Sequence, residues 1–200
     1  MPVKPQPGPI LVYADGSCEG NPGPGGWGVV IVSPEGKHRL NGGDSRTTNN
    51  RMEIMAAIEA LRALDPGIPV ILRSDSQYLV KTVNDGWRRT KNQDLWKELD
   101  AEIARHEVRF EWVRGHAGDA LNEEADALAR EGARNAALGR APGTLAQPEG
   151  DSDARVLEKL DPLLEAGEQV RRCAECGRRF VARDAEACCS LVACQLARRS

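Results

Sequence analysis

The 200-residue sequence predicts an α/β domain with a mixed β-sheet and helices on both of its faces. Three strand-like segments joined by short turns come first, at residues 10–13, 27–32 and 37–43. Short connections between consecutive strands indicate an antiparallel meander. Helical and strand patterns then alternate up to residue 138, and this alternation is typical of sheets that are covered by helices.

Glycine, proline and asparagine separate the three strands of the meander. The first strand, an apolar ILVY run, leads into Asp15 and then into the glycine-rich segment NPGPGG at residues 21–26, which we predict to be a turn. SPEG at residues 33–36 is predicted to be the hairpin turn before the third strand. An apolar run of four residues bounded by such turns is typical of a buried strand.

Helices and strands alternate in the rest of the domain. The first helix follows the polar segment 44–50, carries apolar residues at Ile54, Ile58 and Leu61, and should end near the Pro-Gly pair at 66–67. The remaining predicted elements are a strand at 70–72, helices at 76–83 and 92–106, a strand at 108–113, a glycine-containing loop at 115–119 and a helix at 121–138.

Composition limits the classes of protein that this chain can be. A net charge of −3 is not the charge of a protein that binds nucleic acid by bulk electrostatics. No apolar run approaches the roughly 20 residues of a membrane span, and the proline-rich start lacks the apolar core of a secretion signal. We therefore expect a cytoplasmic protein with no membrane partner. A monomer is a separate expectation, which composition does not decide.

Changes in composition divide the chain into four parts. Residues 1–8 are predicted to be a disordered lead-in and residues 9–139 the main folded domain. Residues 140–169 are predicted to be a linker, with a short helix at 155–168. Residues 170–200 are predicted to be a small cysteine-rich module, which contains seven arginines and three acidic residues and so offers a basic surface to nucleic acid.

Five of the six cysteines lie in this last module, and their spacing is typical of a zinc site. The pattern Cys-x2-Cys followed by Cys-x4-Cys suits a tetrahedral Zn²⁺ site. The predicted ligands are Cys173, Cys176, Cys189 and Cys194, with Cys188 as an alternative to Cys189. The segment is similar to small bacterial zinc-ribbon modules, and the opposing interpretation is a disordered tail with reduced cysteines.

Four acidic residues are candidates for a metal site. Asp15 and Asp75 lie at or just after the carboxyl ends of predicted strands, where open α/β sheets place their ligands. Glu53 lies in the first turns of one helix and Asp126 within another. Clustered carboxylates suit Mg²⁺ or Mn²⁺. Most of the 30 acidic residues must be solvated, so spacing alone leaves a metal site and a surface role both open.

Four long segments carry a resemblance to a known family. DGSCEGNPGPGGWG (15–28), RTTNNRMEIMAAIEAL (46–61), RSDSQY (73–78) and WVRGHAGDALNEEADALA (112–129) occur in this order. Together they resemble type 1 ribonuclease H of the bacterial kind. The resemblance implies a five-stranded mixed sheet flanked by helices. It also implies an endonuclease that hydrolyses the RNA strand of RNA–DNA hybrids, leaves 5′-phosphate and 3′-hydroxyl ends, and removes primers and R-loops.

The resemblance also assigns roles to individual residues. The metal-binding carboxylates, for two Mg²⁺ or Mn²⁺ ions, are Asp15, Glu53, Asp75 and Asp126, and His116 is the histidine that assists proton transfer or product release. The positions that contact the RNA strand are Cys18, Asn21, Asn49, Asn50 and Gln77, and those that grip a DNA phosphate are Asn21, Arg46 and Thr48. These asparagines could instead cap turns and the start of a helix, and both roles can coexist.

The sequence departs from many relatives in one region of the domain. A basic, tryptophan-containing protrusion is shortened here to residues 84–96, which retain Trp87, Arg88, Arg89 and Lys91. Weaker contact with phosphates is expected. Two other functions stay open at this point: a module that binds hybrids without cleaving them, and a DNA resolvase or integrase catalytic domain on the same kind of fold.

Overall fold

A computed structural model describes residues 8–34, 36–115 and 117–140, together with the backbone of residues 146–149, 169–172 and 179–182. Several sequence predictions lie outside these residues: His116, the lead-in at 1–7, the helix at 155–168 and all five cysteines of the C-terminal module. None of the described helices is long and apolar enough to span a membrane.

A mixed sheet forms the centre of the domain. Its spatial strand order is β5-β4-β1-β2-β3-β6. The strands are β1 (Ile10–Cys18), β2 (Gly23–Ser33), β3 (Gly36–Thr47), β4 (Pro69–Ser74), β5 (Glu107–Trp112) and β6 (Ala146–Glu149). β1, β2 and β3 form the predicted antiparallel meander, and β4 runs parallel to both β1 and β5. The predicted mixed sheet is therefore confirmed.

Four helices cover the two faces of this sheet. They are α1 (Asn49–Arg62), α2 (Gln77–Asn84), α3 (Gln93–Ile103) and α4 (Ala120–Ala137). Successive side chains of β1 point to opposite faces. Val12 packs in the cluster that contains residues of α1, α2 and α3, whereas Leu11 and Tyr13 pack with Ala125 of α4. The sheet is thus buried on both faces, which explains why its first strand is an uninterrupted apolar run.

The glycine-rich segment after β1 is mainly strand. Residues 23–26 belong to β2, although the sequence analysis predicted them as part of a turn. A Cβ atom on Gly26 would lie 2.2 Å from the backbone nitrogen of Ala133, and one on Gly28 would lie 2.2 Å from the carbonyl oxygen of Ala125. These glycines therefore allow the backbone of α4 to approach the sheet closely.

The sheet also has a strand that the sequence analysis did not predict. The five expected strands are present, and β6, within the predicted linker, adds a sixth at the edge beside β3. Pro148 lies in this strand, and proline is tolerated at a sheet edge because its missing N–H need not face a neighbour. Two further strands, β7 (Gln169–Arg172) and β8 (Arg179–Ala182), form a separate antiparallel pair.

Candidate active site

Two neighbouring parallel strands bring two carboxylates together. Tyr13 of β1 is paired with Arg73 of β4, and Asp15 and Asp75 each lie two residues further along. The parallel pairing stops there, because β4 ends at Ser74 while β1 continues to Cys18 as a partner of β2. Both aspartates thus lie just beyond the parallel pairing of β1 with β4. Asp75 follows the end of its strand as predicted, whereas Asp15 lies within β1, which is longer than predicted.

Helix α1 supplies a third carboxylate, Glu53, from its second turn. The helix passes directly over Gly16, where a Cβ atom would lie 2.4 Å from the backbone nitrogen of Glu53. Any side chain at residue 16 would push the helix away from β1. Gly16 therefore allows the buried Glu53 side chain to lie beside Asp15, which is also buried.

Asp15, Glu53 and Asp75 form an acidic cluster that fits a hard divalent cation. One ligand oxygen from each residue lies within 4.8 Å of the other two. In the described part of the chain, Oε2 of Glu53 is buried and has no hydrogen-bond partner. A buried carboxylate oxygen is costly unless it meets a donor or a cation. An all-carboxylate set is the ligand chemistry that Mg²⁺ and Mn²⁺ prefer.

The same crowding changes the acidity of the cluster. Burial, followed by repulsion from Asp75, raises the pKa of Asp15 from 3.8 to about 7. The backbone N–H of Gly16 donates to Oδ1 of Asp15 at 2.7 Å, and this hydrogen bond offsets part of the rise. Burial raises the pKa of Glu53 well above its usual range, and the charges of Asp15 and Asp75 raise it further. A bound cation would favour the ionised forms of these carboxylates.

Two asparagine side chains hold the cluster in position. Nδ2 of Asn49 donates to Oε1 of Glu53 at 3.1 Å, and Nδ2 of Asn122 donates to Oδ2 of Asp75 at 3.3 Å. Asn122, which is buried on α4, was not among the site residues predicted from the sequence. One sequence signal could have found it, because its spacing of four residues from Asp126 places both on one helix face.

Hydrogen bonds of two side chains, Asp119 and Tyr13, fix the start of α4. Asp119 caps the helix by accepting from the backbone N–H of Leu121 at 3.1 Å. The hydroxyl of the buried Tyr13 donates to the other oxygen of Asp119 at 2.8 Å. It also accepts from the guanidinium of Arg73 at 3.0 Å. The helix that carries Asn122 is thereby tied to β1 and β4.

The fourth predicted carboxylate, Asp126, lies near this cluster but forms an ion pair of its own. Its charge raises the pKa of Asp15, so it is within electrostatic range. Its Oδ2 atom lies 2.8 Å from the guanidinium of Arg130, and it is not among the three residues whose ligand atoms converge. His116 lies outside the described residues. Its neighbour Gly115 lies against Asp75, since a Cβ atom there would be 2.5 Å from Oδ2.

Several predicted substrate-contacting residues gather around the start of α1. Oδ1 of Asn21 accepts from the backbone N–H of Asn49 at 3.4 Å, so the alternative role in capping the helix start is present for Asn21. The Cys18 thiol lies 3.5 Å from the carbonyl oxygens of Gly23 and Thr47. Thr48 is the N-cap residue of α1, and the exposed Arg46 and Asn50 flank this group in the sequence.

Gln77 lies apart from that group, at the start of α2. It is exposed, and its Oε1 atom accepts from Nζ of Lys81 at 3.1 Å. Gln77 follows Asp75 by two residues and begins α2, whereas Asn49 and Asn50 begin α1. The predicted contacts therefore come from several elements of the fold.

The shortened basic segment is a direct connection between two helices. Residues 85–92 join α2 to α3. Trp87 is 48% exposed, and Nζ of Lys81 lies 5.4 Å from the centroid of its ring. Arg89 forms an ion pair with Asp100 at 2.5 Å and stacks over Trp96. Arg89 is therefore held against α3, which leaves fewer basic groups of this segment for phosphate contacts.

Comparisons with known proteins agree with this geometry. The family model described as RNase H matches residues 7–134, which include all four motif segments. A ribonuclease H from Phenylobacterium zucineum (strain HLK1) is 50% identical over 147 residues, which are 67% of this chain and 96% of that protein.

Solved structures share the fold as well as the sequence. LC9-RNase H1, described as a type 1 RNase H with the type 2 active-site motif, matches with a TM-score of 0.60 and 33% identity, over 82% of this chain and 88% of that chain. LC11-RNase H1 in complex with RNA/DNA hybrid matches with a TM-score of 0.54 and 27% identity, over 64% of this chain and 98% of that one. From its fold, its acidic cluster and these relatives, the chain belongs to the ribonuclease H family.

Proposed function

We propose that this protein is an endonuclease that hydrolyses the RNA strand of RNA–DNA hybrids with the help of divalent metal ions. The observation that carries the proposal is the convergence of Asp15, Glu53 and Asp75 within 4.8 Å, at the carboxyl end of two parallel strands. Relatives named ribonuclease H that are 50% identical over nearly their whole length support the same activity.

Asp15, Glu53 and Asp75 would hold the ions, and Asp126 would complete the set. We propose two Mg²⁺ ions, for which Mn²⁺ could substitute. Ions held there would supply activation of a water molecule and stabilisation of the leaving oxygen in an in-line displacement, and the products would carry 5′-phosphate and 3′-hydroxyl ends. Repulsion among these buried carboxylates raises their pKa values, and a cation bound between them would relieve the repulsion and take the place of the protons.

Asn49 and Asn122 keep the ligand oxygens oriented. Asn49 donates to one oxygen of Glu53 and leaves Oε2 of that carboxylate for a ligand role. Asn122 does the same for Asp75. We propose that His116 moves a proton to or from the reacting phosphate, since imidazole is the side chain best suited to proton transfer near neutral pH.

The substrate would lie across the acidic cluster. We propose that a set of short polar side chains reads the 2′-hydroxyls of the RNA strand; these are Cys18, Asn21, Asn49, Asn50 and Gln77. Arg46, Thr48 and Asn21 would hold a phosphate of the DNA strand. The match to LC11-RNase H1 in complex with RNA/DNA hybrid supports such a surface.

We also propose that the C-terminal module binds one Zn²⁺ through Cys173, Cys176, Cys194 and either Cys189 or Cys188. The antiparallel strands β7 and β8 directly flank the Cys-x2-Cys segment, with Arg172 opposite Arg179. The Cys-x2-Cys spacing itself is typical of structural zinc sites. The arginines of this module could add phosphate contacts that the shortened basic segment lacks.

In the cell, a cytoplasmic monomer with this activity would remove primers and R-loops.

Cleavage of strand-labelled substrates tests the proposal. The full chain with Mg²⁺ should cut the RNA strand of an RNA–DNA hybrid and leave its DNA strand, duplex DNA and duplex RNA intact. Asp15→Asn should abolish cutting, whereas Asp65→Asn, an exposed acid in the turn after α1, should retain it. Cleavage of duplex DNA would indicate a resolvase-like enzyme. Hybrid binding without cleavage would indicate a binding module.

A further inference from the structure

Arg130 forms an ion pair with Asp126, one of the carboxylates that the proposed function assigns to the metal ions. Arg130 lies one turn after Asp126 on α4, and its guanidinium is 2.8 Å from Oδ2 of Asp126. The arginine side chain is 53% exposed and that of Asp126 is 18% exposed. The ion pair thus lies at the rim of the site, where the arginine can leave without crossing packed protein.

Asp126, the partner of Arg130, lies outside the set of three converging carboxylates. The ligand oxygens of Asp15, Glu53 and Asp75 lie within 4.8 Å of one another, and Asp126 is outside that set. Asp126 and Arg130 nevertheless act on the cluster, since the first raises and the second lowers the pKa of Asp15. Arg130 therefore offsets part of the negative charge that would attract a cation.

We propose that Arg130 is a positioning residue that competes with a divalent cation for Asp126 and thereby weakens metal binding at the active site. A guanidinium keeps its charge at every physiological pH, so the competition cannot be relieved by deprotonation. It has to be relieved by displacement of Arg130 from Oδ2. The inference rests on the proposed metal-dependent function and adds that Arg130 limits the affinity of the site for the metal ion.

The size of the effect follows from the exposure of the pair. Ion pairs of this kind, half open to water, contribute only modestly, which corresponds to a change in equilibrium constant of about two- to five-fold. Removing the guanidinium should therefore tighten the binding of Mg²⁺ by about two- to five-fold. A residue with a purely structural role would change the stability of α4 and leave this constant where it was.

Titration of the full chain with MgCl₂, followed by calorimetry without nucleic acid, tests the inference. Arg130→Gln should lower the dissociation constant for Mg²⁺, and Arg130→Lys, which keeps the charge but loses the planar fork, should give an intermediate value. Arg134→Gln is the matched control, because it removes the same charge from the next turn of α4, where Arg134 is exposed. It should leave the constant unchanged.

A second pair of variants separates competition for Asp126 from simple repulsion between charges. In an Asp126→Asn background, Arg130→Gln should no longer change Mg²⁺ binding, because the contested carboxylate is gone. An effect that persists there, or one that Arg134→Gln reproduces, would overturn the inference. Wild-type protein that binds Mg²⁺ with the same affinity as Arg130→Gln would overturn it too, but would leave the proposed function intact. A folded wild type that binds no Mg²⁺ would refute both.

Discussion

Replacing Asp15 with asparagine should stabilise the metal-free protein at alkaline pH while it abolishes cleavage. Asp15 is 6% exposed, and burial together with the charges of Asp75 and Asp126 raises its pKa from 3.8 to about 7. Between these two values the folded protein keeps a proton that the unfolded chain has lost. The favourable contribution of Asp15 is therefore fully present below about pH 4 and is lost as the pH rises through about 7.

The magnitude follows from the size of the pKa shift. The rise of about three pKa units corresponds to at most about 4 kcal/mol of unfolding free energy, at about 1.4 kcal/mol per unit. Asparagine has almost the same shape and carries no charge, so it removes this cost. We expect a gain of less than about 1 kcal/mol at pH 4, which rises to about 1–4 kcal/mol at pH 8.

Urea denaturation of wild type and Asp15→Asn in Mg²⁺-free buffer at pH 4 and pH 8 measures this difference. The exposed Asp65→Asn is the matched control and should change the free energy of unfolding by less than about 0.5 kcal/mol at either pH. Adding Mg²⁺ at pH 8 should stabilise the wild type more than the variant, because only the wild type keeps the full carboxylate set. An Asp15→Asn protein that is no more stable than wild type at pH 8, or equally stabilised at both pH values, would refute the reasoning.

Three further changes test other parts of the account. Gly16→Ala should destabilise the domain by about 1–3 kcal/mol or more in urea denaturation, because its Cβ would meet the backbone of Glu53 at 2.4 Å; an unchanged midpoint would contradict this packing. Asn122→Ala should weaken Mg²⁺ binding or cleavage by about 10- to 100-fold, because it releases Asp75, and wild-type behaviour would argue against that support. Purified protein should contain about one zinc per chain by atomic emission, and Cys176→Ser should lose it; a metal-free wild type would reject the zinc site.

The sequence was sufficient to predict the elements whose signal is local. The apolar run of β1 and the helical periodicity of Ile54, Ile58 and Leu61 place these residues in the core, as found. Local patterns were misleading where a glycine makes room for an element that is distant in the sequence. Gly26 looks like part of a turn, yet it pairs with Ser17 and Gly43 inside the sheet, and its missing side chain makes room for Ala133, more than 100 residues later. Nothing near Gly26 in the sequence reveals that contact.

The strand β6 shows a second limit of local patterns. Its four residues, AQPE, have no β-favouring alternation, and they form a strand because the edge of β3 offers unpaired backbone groups. The partner strand β3 determines the structure of this segment. Composition alone predicts a linker, because it carries no information about which strand lies nearby.

The acidic cluster could be predicted in part. Asp15 and Asp75 were placed by strand ends and Glu53 by its helix, and the structure brings these three together. Asp126 was predicted as an equal fourth member, but its bond to Arg130 depends on the rotamers of two side chains on one helix. Asn122 escaped notice, because a polar residue among acidic neighbours on a helix resembles a solvated position.

The central claim is that Asp15, Glu53 and Asp75 hold the metal ions of a nuclease. The most direct measurement is anomalous diffraction at the manganese edge from crystals of the full chain grown with Mn²⁺ and a non-cleavable RNA–DNA hybrid. We predict anomalous peaks within about 2.5 Å of carboxylate oxygens of all three residues, next to a phosphate of the RNA strand. Bound hybrid with no Mn²⁺ between these carboxylates would contradict the claim.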